Sequence, residues 1–259
     1  MCLIALAYKI HPEYPLIIAA NRDEFLERPT KAAEFWPDAP HILAGKDLKA
    51  GGTWMGVTKS GRFAALTNYR DLRRDRVDGP SRGQLVLKAL DGGVDGIDAG
   101  VYEGFNLLYG SVNALRYCNN IDGLDEELLP GVHGLSNAVL DTPWPKVTRA
   151  KQGMQQWVDG GAAPTEPLFG LLMDDTKAVG GELPDTGVGL EWERMLSSIL
   201  IRAEGYGTRC STVVTVDREG RMSFEERSHQ EPTIVRKAFT IEASEKIFGG
   251  PQHIRNTHR

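Results

Sequence analysis

The chain has 259 residues and a formal net charge of −5, with 41% hydrophobic and 25% charged residues. That composition suits a folded globular protein with a buried core, and it excludes extended disorder or a global positive field able to hold nucleic acid or an anionic membrane surface. The length fits one layered domain over 1–259, no apolar stretch reaches the length of a membrane span, and the first fourteen residues lack the basic region of a secretory signal.

In chain order, the apolar run Leu3 to Tyr8 predicts a strand, and His11-Pro12-Glu13-Tyr14 a turn into a second strand over Pro15 to Ala20, so a β-hairpin comes first. A second hairpin is expected from Thr53 to Val57 and Phe63 to Thr67, which flank Lys59-Ser60-Gly61. Ser81 to Leu90 has helical composition and stops at Gly92-Gly93. Phe105 to Tyr109 and Ala114 to Cys118 form another strand pair, ahead of a turn-rich Gly131-Val132-His133-Gly134. Pro143 and Pro145 open a helix whose Val147, Ala150, Met154, Trp157 and Val158 share one face. Leu168 to Met173 and Leu190 to Ile201 follow as helices. Cys210 to Val216 and Met222 to Glu226 pair across Asp217-Arg218-Glu219-Gly220, and Ile234 to Ile241 makes the last strand. Strands toward both ends with helices between them predict an α+β fold, its mostly antiparallel sheets covered by helices.

Three cysteines, Cys2, Cys118 and Cys210, are odd in number and far apart. They suit neither a disulfide framework nor a metal knuckle and agree with a reducing cytoplasm, so no metal site is expected. Removal of Met1 would leave Cys2 with a free α-amine on the residue that carries the thiol. With pKa values of about 8 for the amine and about 8.5 for the thiol, modest local help makes one a base and the other a nucleophile; a small buried strand cysteine is the alternative. Asn21-Arg22-Asp23-Glu24 ends the second strand, and hairpin pairing brings it beside Cys2. There a carboxylate can orient the amine and a guanidinium or amide can contact an oxyanion, although the same four residues also suit a strand-end salt-bridge cluster.

Arg70, Arg73, Arg74, Arg76 and Arg82, interrupted by Asp71, Asp75 and Asp78, make a locally basic stretch. It suits carboxylate or phosphate binding, or a solvated charge-mixed loop. His133 is a candidate haem ligand or a hydrogen-bonding loop residue, and no Cys-x-x-Cys-His attachment motif accompanies it.

Met1-Cys2, the strand leading to Asn21-Arg22-Asp23-Glu24, Gly51-Gly52-Thr53-Trp54, Leu66-Thr67-Asn68-Tyr69-Arg70, Gly134-Leu135-Ser136-Asn137, Pro143-Trp144-Pro145-Lys146 and Gly207-Thr208-Arg209-Cys210-Ser211-Thr212 together resemble the NRDE protein family, also called the transport and Golgi organisation 2 family. The resemblance spans essentially the whole chain. It implies links to haem trafficking and to lipid and acyl-CoA homeostasis, hence haem or a coenzyme A thioester as a small-molecule ligand, with Asn21, Arg22, Glu24 and Arg70 as candidate ligand-binding residues.

A more remote resemblance, to N-terminal nucleophile hydrolases of the choloylglycine hydrolase and penicillin V acylase type, implies an αββα sandwich and a mechanism that requires no cofactor. Cys2 would be nucleophile and base, Asp23 would hold the α-amine, Asn137 and secondarily Asn68 would donate to the oxyanion, and Arg209 would stabilise the thiolate. Ala20 stands where those hydrolases usually carry arginine, and the arginine here is Arg22. Asn137 also suits a turn-capping amide and Arg209 a strand-end ion pair. Two functions follow: an amidohydrolase or acyltransferase acting on a small amide, ester or thioester, or a non-catalytic carrier of haem or acyl-CoA on the same fold.

Overall fold

The computed structural model describes residues 2–161 and 164–242. In chain order its strands are β1 (Cys2–Tyr8), β2 (Leu16–Phe25), β3 (Thr30–Trp36), β4 (Ala39–Asp47), β5 (Met55–Thr58), β6 (Arg62–Asn68), β7 (Phe105–Ser111), β8 (Ala114–Asn119), β9 (Asp125–Glu127), β10 (Gly131–Leu135), β11 (Arg202–Ala203), β12 (Tyr206–Val216), β13 (Arg221–Ser228) and β14 (Ile234–Thr240). The helices are α1 (Gly83–Leu90), α2 (Pro145–Asp159), α3 (Glu166–Leu172) and α4 (Leu190–Met195). Two sheets of seven strands result, one ordered β10-β1-β2-β12-β13-β14 with β11 paired to β12, the other a meander from β3 to β9. Every pairing among the described residues is antiparallel.

All seven residues of β1 are buried, because the strand lies inside its sheet and that sheet is covered on both faces. Alternation along the strand then divides its side chains between two cores. Ile4, Leu6 and Tyr8 enter the space between the sheets with Leu43, Val57, Phe63 and Leu108. Leu3, Ala5 and Ala7 pack outward against Val147, Met154 and Trp157 of α2 and Leu168 of α3. Helix α1 covers the outer face of the second sheet through Leu85, Val86, Ala89 and Leu90. The layers therefore run helix, sheet, sheet, helix, the αββα sandwich that the resemblance implies. At Gly134 of β10 a Cβ would lie 2.7 Å from the Val147 side chain, so glycine is what lets α2 cross there. Among the described residues no helix is long and apolar enough to cross a membrane.

Three segments depart from the pattern reading. The β3–β4 hairpin, unpredicted, carries register shifts at Lys31/Glu34 and Phe35/Trp36 that break the alternation a strand is recognised by. Gly131–Leu135 is not a turn but an edge strand paired along β1, from Ile4↔Leu135 to Tyr8↔Gly131. The helix expected over Leu190 to Ile201 stops at Met195, where the Ser197 hydroxyl donates to the Arg194 carbonyl and the Ser198 hydroxyl to the Leu200 carbonyl, offering the backbone an alternative to the helical ladder.

Candidate active site

The β1–β2 hairpin sets Cys2 directly opposite Arg22, and the β2–β12 pairing sets Arg22 opposite Cys210. Residues opposite one another point to the same face, so these three form a row on the inter-sheet side. Asn21 and Asp23 point to the helix side, opposite Ser211 and Thr208 of β12. A bulge between Thr208 and Cys210 leaves Arg209 without a pairing partner in the ladder.

Cys2 is 6% exposed and lines a cavity of about 130 Å³ whose wall includes Arg22, Asp23, Glu24, Asn68 and Arg82. Burial raises the thiol's pKa and the Asp23 carboxylate adds to the rise, while Arg22 and the Asp23 backbone N–H, which donates to the sulfur, act the other way. Gly52 and Gly83 shape this wall. A Cβ on Gly52 would lie 2.6 Å from the Gly83 backbone, so the two chains touch backbone to backbone and hold Ser81-Arg82-Gly83 against the cavity.

Asn68 and Arg82 also line a larger basin of about 730 Å³, with Arg74, Arg76, Tyr102 and Asn120. Neither the Arg22 guanidinium nor the Asn68 carboxamide has a hydrogen-bond partner among the described residues, so both are donors available to a guest in the Cys2 cavity. Glu24 reaches the same wall and accepts from the Phe25 backbone N–H.

Several predicted site residues are committed elsewhere. The Asn21 amide donates to the Leu172 and Ile199 carbonyls and accepts from Ser211, which leaves a fully buried tie between β2 and the helical layer rather than a ligand contact. Arg209, proposed as the thiolate's cation, donates to the Phe25, Leu26 and Arg28 carbonyls and to Thr30; the bulge turns it toward the β2–β3 turn, and the cation beside the thiol is Arg22. Arg70, proposed as a ligand contact, is 7% exposed and paired with Glu193 at 2.7 Å. Asn137 is fully buried and donates to the Asn68 backbone carbonyl at 2.9 Å. It thus supports Asn68, and Asn68 is the asparagine at the cavity, the reverse of the expected ranking.

Ser211 and His229, 2.8 Å apart, resemble a serine–base pair. The serine's single proton goes to the Asn21 carbonyl oxygen at 2.6 Å, so the imidazole must be the donor and does not activate the hydroxyl. His133 has both ring nitrogens occupied, by Asp141 at 2.8 Å and the Leu129 carbonyl at 2.9 Å, which leaves none for haem iron. Although burial lowers its pKa, the hydrogen bonds to Asp141 and Leu129 prevail and hold it above the ordinary value. Its ion pair therefore stabilises the fold fully below the unfolded histidine's pKa, and that stabilisation is lost as pH rises through the folded value. An NMR titration should place the His133 midpoint above that of an unfolded histidine, and Asp141→Asn should lower it; an unchanged midpoint in the variant would refute the pairing.

On the helix side, the Asp23 carboxylate is 1% exposed and accepts from the Thr208 hydroxyl at 2.7 Å. Burial raises its pKa, opposed by Lys146 and the Thr208 hydrogen bond. Lys146, the second residue of α2, is itself 1% exposed, and its Nζ has no hydrogen-bond partner among the described residues. Burial is the main cause that lowers its pKa, to about 8; Asp23 opposes the fall and Arg70 adds to it. In the sequence this lysine stands inside the Pro143-Trp144-Pro145-Lys146 motif, with no role attached to it. A lysine just after Pro145 at a helix N-terminus, where the dipole disfavours a cation, is the signal that was there to be read.

Comparison with known proteins follows the same lines. The family model described as Transport and Golgi organisation 2 matches residues 1–231. The Transport and Golgi organization protein 2 homologs of Bos taurus and Homo sapiens are each 37% identical over 257 residues, covering 88% of this chain and 93% of theirs. Among solved structures, a mutant of the conjugated bile acid hydrolase from Clostridium perfringens shares the fold with a TM-score of 0.52 at 9% identity, over 100% of this chain and 99% of that one.

Proposed function

The chain belongs to the transport and Golgi organisation 2 family, and from that premise we propose that it is an N-terminal nucleophile amidohydrolase or acyltransferase for a small amide, ester or thioester. The observation that carries this reading is the Cys2 cavity: a thiol that accepts the Asp23 backbone N–H, faces Arg22, and opens on the Asn68 amide, which has no hydrogen-bond partner among the described residues. Met1 lies outside the described residues, and its removal is part of the proposal.

In the first step the free amine of Cys2 takes the thiol proton, and the sulfur attacks the acyl carbon. Asn68 and Arg22 donate to the oxygen on which negative charge develops. The Cys2 ammonium then returns its proton to the leaving amine, alcohol or thiol as the bond to it breaks, which leaves an acyl-thioester. Water, or an acceptor nucleophile in a transferase, gives its proton to the same amine and releases the acyl group. Asp23 holds the ammonium between these transfers. Nucleophile and base reside on one residue, so the chemistry asks for no cofactor.

A second reading, a carrier of an anionic ligand such as haem or an acyl-CoA, draws on the basin whose wall carries Arg74, Arg76 and Arg82. Intact mass of untagged protein after brief alkylation decides between the two. The hydrolase reading expects Met1 to be missing and one alkyl group to map to Cys2 well before Cys118 and Cys210, both buried thiols whose pKa values burial pushes far up. Retained Met1 with no fast cysteine rejects it in favour of the carrier.

A further inference from the structure

We propose that Lys146 is a positioning residue for Cys2: its buried ammonium holds Asp23 ionised and, through the same field, keeps the free amine of a processed Cys2 unprotonated, so that this amine takes the thiol's proton. The inference rests on the reading of Cys2 as an N-terminal nucleophile and adds a residue to it.

The placement of Lys146 is unfavourable in three respects. The side chain is 1% exposed, its Nζ lacks any hydrogen-bond partner among the described residues, and it sits at the N-terminal end of α2, where the helix dipole repels a cation. Lys151, five positions later on the same helix, shows the ordinary arrangement, reaching outward to Asp141 at 2.6 Å. A buried ammonium with no hydrogen-bond partner among the described residues, beside a candidate nucleophile, is the kind of arrangement that functional sites retain.

The charged and titratable groups around it come from every neighbouring element. Asp23 and Glu24 lie on β2, Cys2 on β1, Arg70 beyond β6, Glu193 on α4 and Tyr206 on β12. Arg70 and Glu193 pair at 2.7 Å and largely cancel. Burial keeps the Tyr206 hydroxyl neutral, and it too is without a hydrogen-bond partner among the described residues. Asp23 is then the main counter-charge that Lys146 meets. An α-ammonium on Cys2 would be a second cation sharing that carboxylate, and like charges at one site disfavour each other. Lys146, which burial brings down to about 8, still carries its charge at neutral pH, and beside it the α-amine, ordinarily at about 8, is pushed lower and is left unprotonated. The proton balance is simple: the S–H bond breaks, an N–H bond forms on the α-amine, and the resulting ammonium rests on Asp23 while the thiolate reacts.

The test is the pH profile of Cys2 alkylation by iodoacetamide, read by peptide mass in wild type, Lys146→Met and Lys146→Arg. In the Met variant the midpoint should rise by about one unit or more, which makes alkylation at pH 7 about ten-fold slower; the Arg variant, which keeps the charge, should recover most of the rate. A folded Met variant with the wild-type midpoint overturns the inference and leaves Cys2 as nucleophile intact. Retained Met1 or an unreactive Cys2 in wild type sinks both ideas at once. Should Lys146→Met fail to fold, NMR of 13C-labelled lysine in the wild-type chain decides. One lysine should titrate well below the rest and shift further down once Cys2 is capped, and a spectrum with no such coupled lysine overturns the proposal.

Discussion

Arg70→Met is expected to destabilise the protein by about 3–5 kcal/mol, whereas Arg70→Met combined with Glu193→Met should return most of that loss. The pair is buried on both sides, with side chains 6% and 3% exposed. Each charge is also tied in by neighbours: Arg70 Nε donates to the Thr186 hydroxyl, the Thr186 backbone N–H and hydroxyl both donate to Glu193, and the guanidinium lies 4.9 Å from the centre of the Trp144 ring. Removing the arginine alone leaves a buried carboxylate without its cation, the costly half of a broken ion pair. Removing both replaces a desolvated pair by apolar side chains of similar length. Urea melts of the two single variants and the double variant form a cycle that isolates the coupling, and a loss below about 1 kcal/mol in Arg70→Met would contradict the geometry. The effect should reach the site as well, because the Arg70 backbone N–H donates to Asn137, whose amide in turn holds Asn68 at the cavity wall.

How legible such links were in the sequence depended on whether they ran along a strand or across the fold. Cys2 and Asn21-Arg22-Asp23-Glu24 are joined by one hairpin, so a turn at His11 to Tyr14 and two apolar runs suffice to bring them together, and the register Cys2↔Arg22 follows. Alternation does the same for the helix side: with Cys2 facing the inter-sheet core, Asp23 must face α2. Arg22 was visible as the displaced arginine of the remote resemblance, but only the pairing shows that it stands opposite the thiol.

Links that depend on distant elements were not readable. Arg209 sits one residue past Thr208 in a bulge, and a bulge has no periodic signature, so no spacing shows that its guanidinium is spent on the carbonyls of the β2–β3 turn. The placement of Asn137 behind Asn68 was hidden for a similar reason. Both lie in motifs, and nothing in their spacing tells which amide is spent on backbone and which is left at a cavity. Lys146 shows a third kind of limit: the spacing predicts the helix and its apolar face, but that face alone does not say that the second residue is driven inward, toward Asp23 of β2.

Asp23→Asn is the substitution that separates chemistry from scaffold most sharply. Asparagine keeps the shape and an acceptor for the Thr208 hydroxyl, which now donates to Asp23 at 2.7 Å, while it removes the charge and turns the other oxygen into an NH2 donor. Under the proposed mechanism the Cys2 ammonium then has no carboxylate to rest on between proton transfers, and turnover of an acyl substrate should fall by about 10²–10⁴-fold. Stability should move the other way. Burial raises the Asp23 pKa in the folded state, so ionised Asp23 is held at a cost. The stability that its neutral form contributes is complete below the unfolded carboxyl's pKa and is lost as pH rises through the folded value. At neutral pH the asparagine variant carries no charge to desolvate but takes from the buried Lys146 its main counter-charge, so the comparison belongs in the Lys146→Met background, where Asp23→Asn should melt no lower than its parent, the trade of stability for activity that a charged catalytic group entails. Paired thermal melts and single-turnover rates read both quantities on one preparation. A variant that loses rate and melting temperature together would make Asp23 a structural tie, and one that keeps the wild-type rate would remove it from the mechanism.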